Sequence, residues 1–83
     1  MTIEKEWTQE EIDNEYLKLQ VNRLVTQQDL LSFYGLLFMT SNPRHYETWL
    51  QKADRLYEES QSIEILQLIG KVESLLEKIY ASC

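Results

Sequence analysis

Residues 30–39 read LLSFYGLLFM, a run in which eight of ten side chains are large and apolar and only Ser32 and Gly35 interrupt them. A membrane-spanning helix needs roughly 20 apolar residues, about twice the length of this run. Polar residues also border it closely on both sides, as Gln27, Gln28, Asp29, Thr40, Ser41 and Asn42. We therefore expect no membrane insertion, and we expect other parts of this chain or a second chain to bury the run.

The composition favours helices. The chain has 83 residues, of which 43% are hydrophobic and 27% are charged, and this balance is typical of a folded globular domain. It contains only two Gly and one Pro, so the residues that most β-turns require are scarce. We expect residues 1–83 to form a single all-α domain.

Two similar patterns predict where the first two helices begin. Thr8 is followed three residues later by Glu11, and Thr26 by Asp29, and each pair has the spacing of a capping box. The expected helices span approximately residues 9–25 and 27–39. Because no Gly or Pro separates them, one bent helix of about 30 residues is the alternative.

Two further boundaries divide the second half of the chain. Asn42 and Pro43 are a helix cap followed by the residue type that best fits the first helical position. Residues 60–62 read Ser-Gln-Ser and supply a turn and a second cap. The expected helices are residues 43–59 and 62–81, and short connections predict a small antiparallel bundle of three or four helices.

The spacing of apolar residues predicts which helix faces are buried. The second helix is apolar all round, which favours a central position, whereas the third carries one apolar stripe and is expected at the surface. The fourth has a two-heptad seam of Ile65, Leu68, Val72, Leu75 and Ile79. The first has two opposite apolar faces, one with Ile12, Tyr16 and Leu19 and the other with Leu17, Val21, Leu24 and Val25.

Only one of these two faces is needed to line the bundle, so the other is available to a partner. Aromatic side chains beside acids are effective anchors in protein interfaces, because they bring large rigid areas at low entropic cost. We therefore take as candidate partner-binding residues Trp7, Ile12, Tyr16 and Leu19, with the opposite face of the first helix as the alternative.

Residue types that carry chemistry are scarce. His45 is the only histidine and Cys83 the only cysteine, too few for a zinc site with three or four such ligands. Gly35 and Gly70 are isolated, so no phosphate-binding glycine loop is present in the sequence. We expect no catalytic residue, no metal, no cofactor and no enzymatic activity.

The charge distribution excludes nucleic acid as an expected ligand. The formal net charge is −6, and residues 1–15 hold six acids and one base, a net of −5, while residues 16–83 hold eight acids and seven bases, a net of −1. No basic patch of the kind that binds phosphate backbones is visible. A single cysteine and a first segment, MTIEKEW, without a secretory pattern favour a cytoplasmic location.

These observations favour a non-enzymatic protein–protein interaction module. It would be a small adaptor, regulator or chaperone that presents an apolar helical face to another protein, to itself as a homodimer or larger oligomer, or to both. The alternative is an acidic inhibitor of the antitoxin, immunity or nucleic-acid-mimic type, which would use the acids of residues 4–15 against a basic target.

A further alternative comes from a resemblance. The expected hairpin of residues 42–80, with Tyr46 and Trp49 near the start of its first helix, resembles the small helical co-chaperones of type III secretion needle subunits. The resemblance covers under half of the chain and has no specific motif. It implies binding of a helical needle subunit within a small chaperone complex.

Overall fold

The computed structural model describes residues 7–22 and 24–82, and these residues form a small all-α fold. The four helices are α1 (Gln9–Val21), α2 (Gln27–Leu37), α3 (Pro43–Ser60) and α4 (Ile63–Ala81). No strand occurs among the described residues. Within the same residues, no helix is both long enough and apolar enough to cross a membrane.

The predicted helix starts are confirmed for the first three helices. At the start of α1 the Thr8 hydroxyl accepts a hydrogen bond from the backbone amide of Glu11 at 3.1 Å. The Glu11 carboxylate in turn accepts a hydrogen bond from the backbone amide of Thr8 at 3.2 Å. Thr26 and Asp29 make the same reciprocal pair at the start of α2, with both distances 3.1 Å. The side chain of Asn42 caps α3, where Pro43 occupies the first turn. Each cap satisfies amides that the helix itself leaves without acceptors.

The ends of the first two helices differ from the sequence prediction, with α2 stopping at Leu37, two residues early, whereas α3 and α4 end within one residue of the predicted positions. Helix α1 stops at Val21, about four residues early, because Asn22 is extended and its side-chain oxygen accepts the amide of Leu24 at 3.1 Å. Residues 22 and 24–26 are not helical, so the alternative of one bent helix is wrong. Helix α3 ends at Ser60 and is followed by the left-handed Gln61, and the Ser62 side chain makes no capping hydrogen bond within the described chain.

Consecutive helices run antiparallel, as predicted. Tyr16 of α1 meets Phe33 of α2, whereas Gln9, earlier in α1, reaches Met39, beyond the end of α2. Helix α3 lies against each of the other three helices, and its most extensive contact is with α4. The buried core comprises Ile12, Tyr16, Leu19, Leu30, Leu37, Tyr46, Trp49, Ala53, Ile65, Ile69 and Val72.

The central position of α3 corrects the sequence prediction, which placed α2 at the centre and α3 at the surface. Of the LLSFYGLLFM run, only Leu30 and Leu37 are buried. Helix α3 is central because its single apolar stripe includes Trp49 and Ala53, both fully buried.

Polar atoms of buried aromatic side chains fix α2 in place. The Trp49 indole nitrogen donates to the Leu30 carbonyl at 2.9 Å, and the Tyr46 hydroxyl donates to the Leu37 carbonyl at 2.6 Å. Buried indole and phenol groups require such partners, since an unpaired polar group in a core is costly. These bonds therefore define the depth and the direction of α2 on α3.

Candidate partner-binding surface

The structure places three of the four predicted partner-binding residues in the core. Ile12 is 0% exposed, and Tyr16 and Leu19 are each 2% exposed. Trp7 is half-buried against the same core. The prediction had put these side chains at a surface, and the structure corrects that placement because this face of α1 packs into the bundle.

Tyr16 explains why α1 turns this face inward. Its hydroxyl donates to the Phe33 carbonyl of α2 at 2.6 Å, and its ring stacks on His45 of α3 with centroids 4.6 Å apart and planes 14° from parallel. His45 in turn pairs through Nε2 with the Asp13 carboxylate of α1 at 2.5 Å. The Tyr16 side chain thus joins α1, α2 and α3. The Asp13 carboxylate of α1 holds the His45 ring on which Tyr16 stacks.

Burial also changes the acidity of the two core phenols. Desolvation raises the pKa of Tyr16 far above its usual value near 10, and the neighbouring Tyr46 raises it further. Burial likewise raises the pKa of Tyr46. In both cases the low-dielectric surroundings disfavour the phenolate, so both groups stay protonated as hydrogen-bond donors.

The opposite face of α1 is exposed and apolar. Leu17 is 59% exposed and Val21 is 78% exposed, and Leu24, in the segment that follows the helix, is 85% exposed. We call these three residues the outer stripe. They are spaced by four and then three residues, so Leu17 and Val21 share the side of α1 that points away from Ile12 and Leu19.

Charged and polar side chains border the outer stripe. Lys18 and Gln20 are exposed beside it, and the Lys18 ammonium pairs with the Glu15 carboxylate of the same helix at 3.6 Å. An apolar centre with a polar border is the usual composition of a protein–protein contact surface.

Helix α2 and the two residues that follow it expose a second apolar surface. Leu31 is 48% exposed, Phe38 62% and Met39 52%, and we call these residues the α2 face. A methyl group built at Gly35, between them on the helix, would have no heavy atom within 4 Å, apart from its chain neighbours and the helix's own backbone. The side chains of this face are on average less exposed than those of the outer stripe.

A polar cleft of about 660 Å³ lies between α1 and α3, next to the outer stripe. Its walls carry charges of both signs, including Asp13 and Glu47 as acids and Arg44 as a base, and Leu17 lies at its edge. The walls therefore do not present charge of a single sign. Among the described residues, no group of three His, Cys, Asp or Glu side chains is placed to hold a metal ion.

No family model, curated protein or solved structure matches this chain. The candidate site therefore rests on the geometry alone.

The outer stripe was visible in the sequence as the second apolar face of the first helix. The sequence pattern could not indicate which of the two faces is buried and which is exposed, because each carries three or four apolar residues. The deciding contacts join residues far apart in the chain, such as Tyr16 with Phe33 and Asp13 with His45.

Proposed function

We propose that this chain is a non-enzymatic protein-binding module, a small adaptor, regulator or chaperone that binds its partner through the outer stripe. The observation that supports this function is the exposure of Leu17, Val21 and Leu24, each more than half accessible, beside a complete core. Large apolar side chains grouped on one exposed face commonly mark an interaction site.

The expected gain from covering this surface is substantial. Full burial of a Leu or Val side chain contributes about 1.5–3 kcal/mol, so three such residues contribute about 4.5–9 kcal/mol against an association cost of about 4–15 kcal/mol. The polar residues that border the stripe must therefore add contacts of their own in a specific complex. None of the three belongs to the buried core, so a partner can cover them without rearranging the fold.

The experiment compares two matched variants of the full chain. Leu17→Gln combined with Val21→Gln removes the apolar part of the stripe, and Leu31→Gln makes the same chemical change on the α2 face. All three substituted residues are exposed in the structure. We expect each protein to unfold at the same denaturant concentration as the unmodified chain, because exposed substitutions change stability little.

The measurement is capture of proteins from an extract of the cells in which the chain is native, quantified by mass spectrometry. The unmodified chain and Leu31→Gln should retain one partner in near-stoichiometric amount, and the Leu17→Gln, Val21→Gln variant should lose it. Equal retention of that partner by all three proteins would contradict a binding role for the outer stripe.

A further inference from the structure

A groove of about 380 Å³ lies between α3 and α4. Its apolar part consists of the half-buried side chains of Leu50 and Leu76, with the ring of Tyr80, 52% exposed, beside them. The Tyr80 hydroxyl donates to the Glu47 carboxylate of α3 at 2.5 Å, and this bond joins the two helices next to the groove. We call this feature the α3–α4 groove, and its lining residues are Leu50, Asp54, Glu73, Leu76, Glu77 and Tyr80.

The walls of the α3–α4 groove carry charge of a single sign. Three of its six lining residues are the exposed acids Asp54, Glu73 and Glu77, and none of the six is a base. Glu47, the acceptor of the Tyr80 hydroxyl, adds a fourth carboxylate next to them. The groove therefore differs from the cleft between α1 and α3, whose walls carry charges of both signs.

The bases of α4 lie away from the groove. Lys71 and Lys78 are the only bases of this helix, and both are exposed. With 3.6 residues per turn, they lie about 100–160° around the helix from both of its groove acids. They are therefore poorly placed to neutralise the carboxylates of the groove.

The bases of α3 lie away from the groove as well. Measured around the helix from Leu50, the side chains of Arg44, Lys52 and Arg55 are displaced by about 120–160°. The Lys52 ammonium donates to the Asn22 carbonyl at 2.9 Å, which is a contact beyond the end of α1. The positive charges of both helices are thus directed elsewhere.

The acids of the groove are spread along and across it. Glu73 and Glu77 are one helical turn apart on α4, about 6 Å along the axis, and Asp54 belongs to the other wall. Like charges at a spacing of four residues destabilise a helix slightly, so their proximity has a cost in the isolated chain. A ligand that pairs with all of these carboxylates must carry several spaced positive charges.

We propose that the α3–α4 groove binds a basic, amphipathic segment of a partner protein, in which lysine or arginine side chains flank a large apolar side chain. The apolar side chain packs on Leu50 and Leu76, and the basic side chains pair with the acids of both walls. The long stems of lysine and arginine also cover apolar surface while their charged ends reach the carboxylates. This site is a second binding surface, and it does not depend on the outer stripe.

A synthetic peptide tests the chemistry of the site. The probe is a labelled peptide of about 14 residues, or about four helical turns, made of leucine and lysine with lysines four apart to match Glu73 and Glu77. Fluorescence anisotropy with the full chain should show saturable binding that weakens steeply with added salt, because the pairing charges are exposed. A second peptide with the same lysines and with glutamine at every leucine position should bind more weakly, since it lacks the apolar contact. Equal binding of the two peptides would overturn the requirement for an amphipathic segment.

Two matched double variants test whether the groove acids are responsible. Glu73→Gln with Glu77→Gln should raise the Kd of the leucine–lysine peptide about five- to tenfold, because each exposed ion pair contributes modestly. Glu10→Gln with Glu59→Gln removes the same charge from exposed positions outside the groove, and it should change the Kd less than about twofold, because distant exposed charges are screened. Equal weakening in both variants would show attraction to net charge alone and would overturn the groove as the site.

Urea denaturation verifies that the groove variant is folded. It should unfold at the same urea concentration as the unmodified chain or at a slightly higher one, because the substitutions remove a like-charge pair from exposed positions. Weaker peptide binding by a protein of undiminished stability would then report the loss of contacts to the peptide.

Heteronuclear NMR of the full chain with the leucine–lysine peptide locates the contact. Changes in amide chemical shift should concentrate in residues 47–54 and 73–80. The Leu17→Gln, Val21→Gln variant should bind the peptide with an unchanged Kd, and loss of binding in that variant would place the peptide on the outer stripe and overturn the proposal. A peptide that fails to bind the unmodified chain overturns the groove as a site and leaves the proposed function of the outer stripe to its own test.

Discussion

At the scale of single residues, hydrogen bonds from buried aromatic side chains position the helices. Tyr16, Tyr46 and Trp49 each donate to a backbone carbonyl of α2, at Phe33, Leu37 and Leu30. The sequence indicated that aromatic residues would pack in the core, but it did not indicate these acceptors. A carbonyl within a helix has a second lone pair that is invisible in any residue pattern.

Tyr16 makes stability depend on alkaline pH in a specific way. Burial raises its pKa in the folded chain, whereas in the unfolded chain the pKa is about 10. The contribution of Tyr16 to the free energy of unfolding is complete below pH about 10. It is lost as the pH rises from there toward the pKa of Tyr16 in the folded chain, because only the unfolded state then releases the proton.

We therefore expect Tyr16→Phe to be about 1 kcal/mol less stable than the unmodified chain at pH 7, because it loses the hydrogen bond to Phe33. The difference in stability between the two proteins should shrink above pH about 10, because Tyr16 then loses its proton in the unfolded state, which destabilises the unmodified chain but not the variant. Urea denaturation of both proteins between pH 7 and 11 measures it. Titrations common to both proteins cancel in the difference, and a constant difference across this range would contradict the prediction.

At the scale of helices, starts were more predictable than ends. The capping pairs at Thr8 and Thr26 are local, lying within four residues, so the sequence contains everything that forms them. The end of α1 at Asn22 also had a local signal in a side chain that competes with the helix for backbone amides. The Ser-Gln-Ser turn predicted the end of α3 within one residue, but it did not indicate the left-handed conformation of Gln61, because glycine or asparagine usually occupies that position.

The two glycines provide a test of helix stability. Gly35 and Gly70 lie inside α2 and α4 with negative φ, and a methyl group at either would have no heavy atom within 4 Å, apart from its chain neighbours and the helix's own backbone. Gly35→Ala and Gly70→Ala should each raise the free energy of unfolding by about 0.5–1 kcal/mol, because alanine reduces the freedom of the unfolded chain.

Chemical denaturation of the two variants and of their combination measures this gain. The effects should add, since the sites lie on different helices and share no contact. A loss of stability in Gly35→Ala alone would indicate that another backbone approaches α2 closely at that position, contrary to the described structure.

At the scale of the whole molecule, the all-α class and the antiparallel order of helices followed from the sequence. The choice of central helix did not. Helix α2 is apolar all round, yet α3 is the central helix, because its buried stripe, which includes Trp49 and Ala53, lies in the core and α3 contacts each of the other three helices. Hydrophobic spacing describes each helix by itself, and it contains no information about which pairs of faces fit together.

Hydrophobic spacing likewise did not indicate which of the two apolar faces of α1 is buried. Two leucines of α1, two positions apart, test the assignment of these faces. Leu19 is buried in the core and Leu17 is exposed on the outer stripe. Leu19→Ala should lower the free energy of unfolding by about 2–5 kcal/mol, whereas Leu17→Ala should change it by less than about 0.5 kcal/mol. Both substitutions are made on one helix, so the difference in helix propensity is the same in each.

Urea denaturation of both variants and of the unmodified chain measures the two costs. Leu19→Ala should be clearly destabilised because Leu19 is buried in the core, and Leu17→Ala should unfold close to the unmodified chain because Leu17 is exposed. Equal costs for the two substitutions would mean that α1 packs with its other face toward the core.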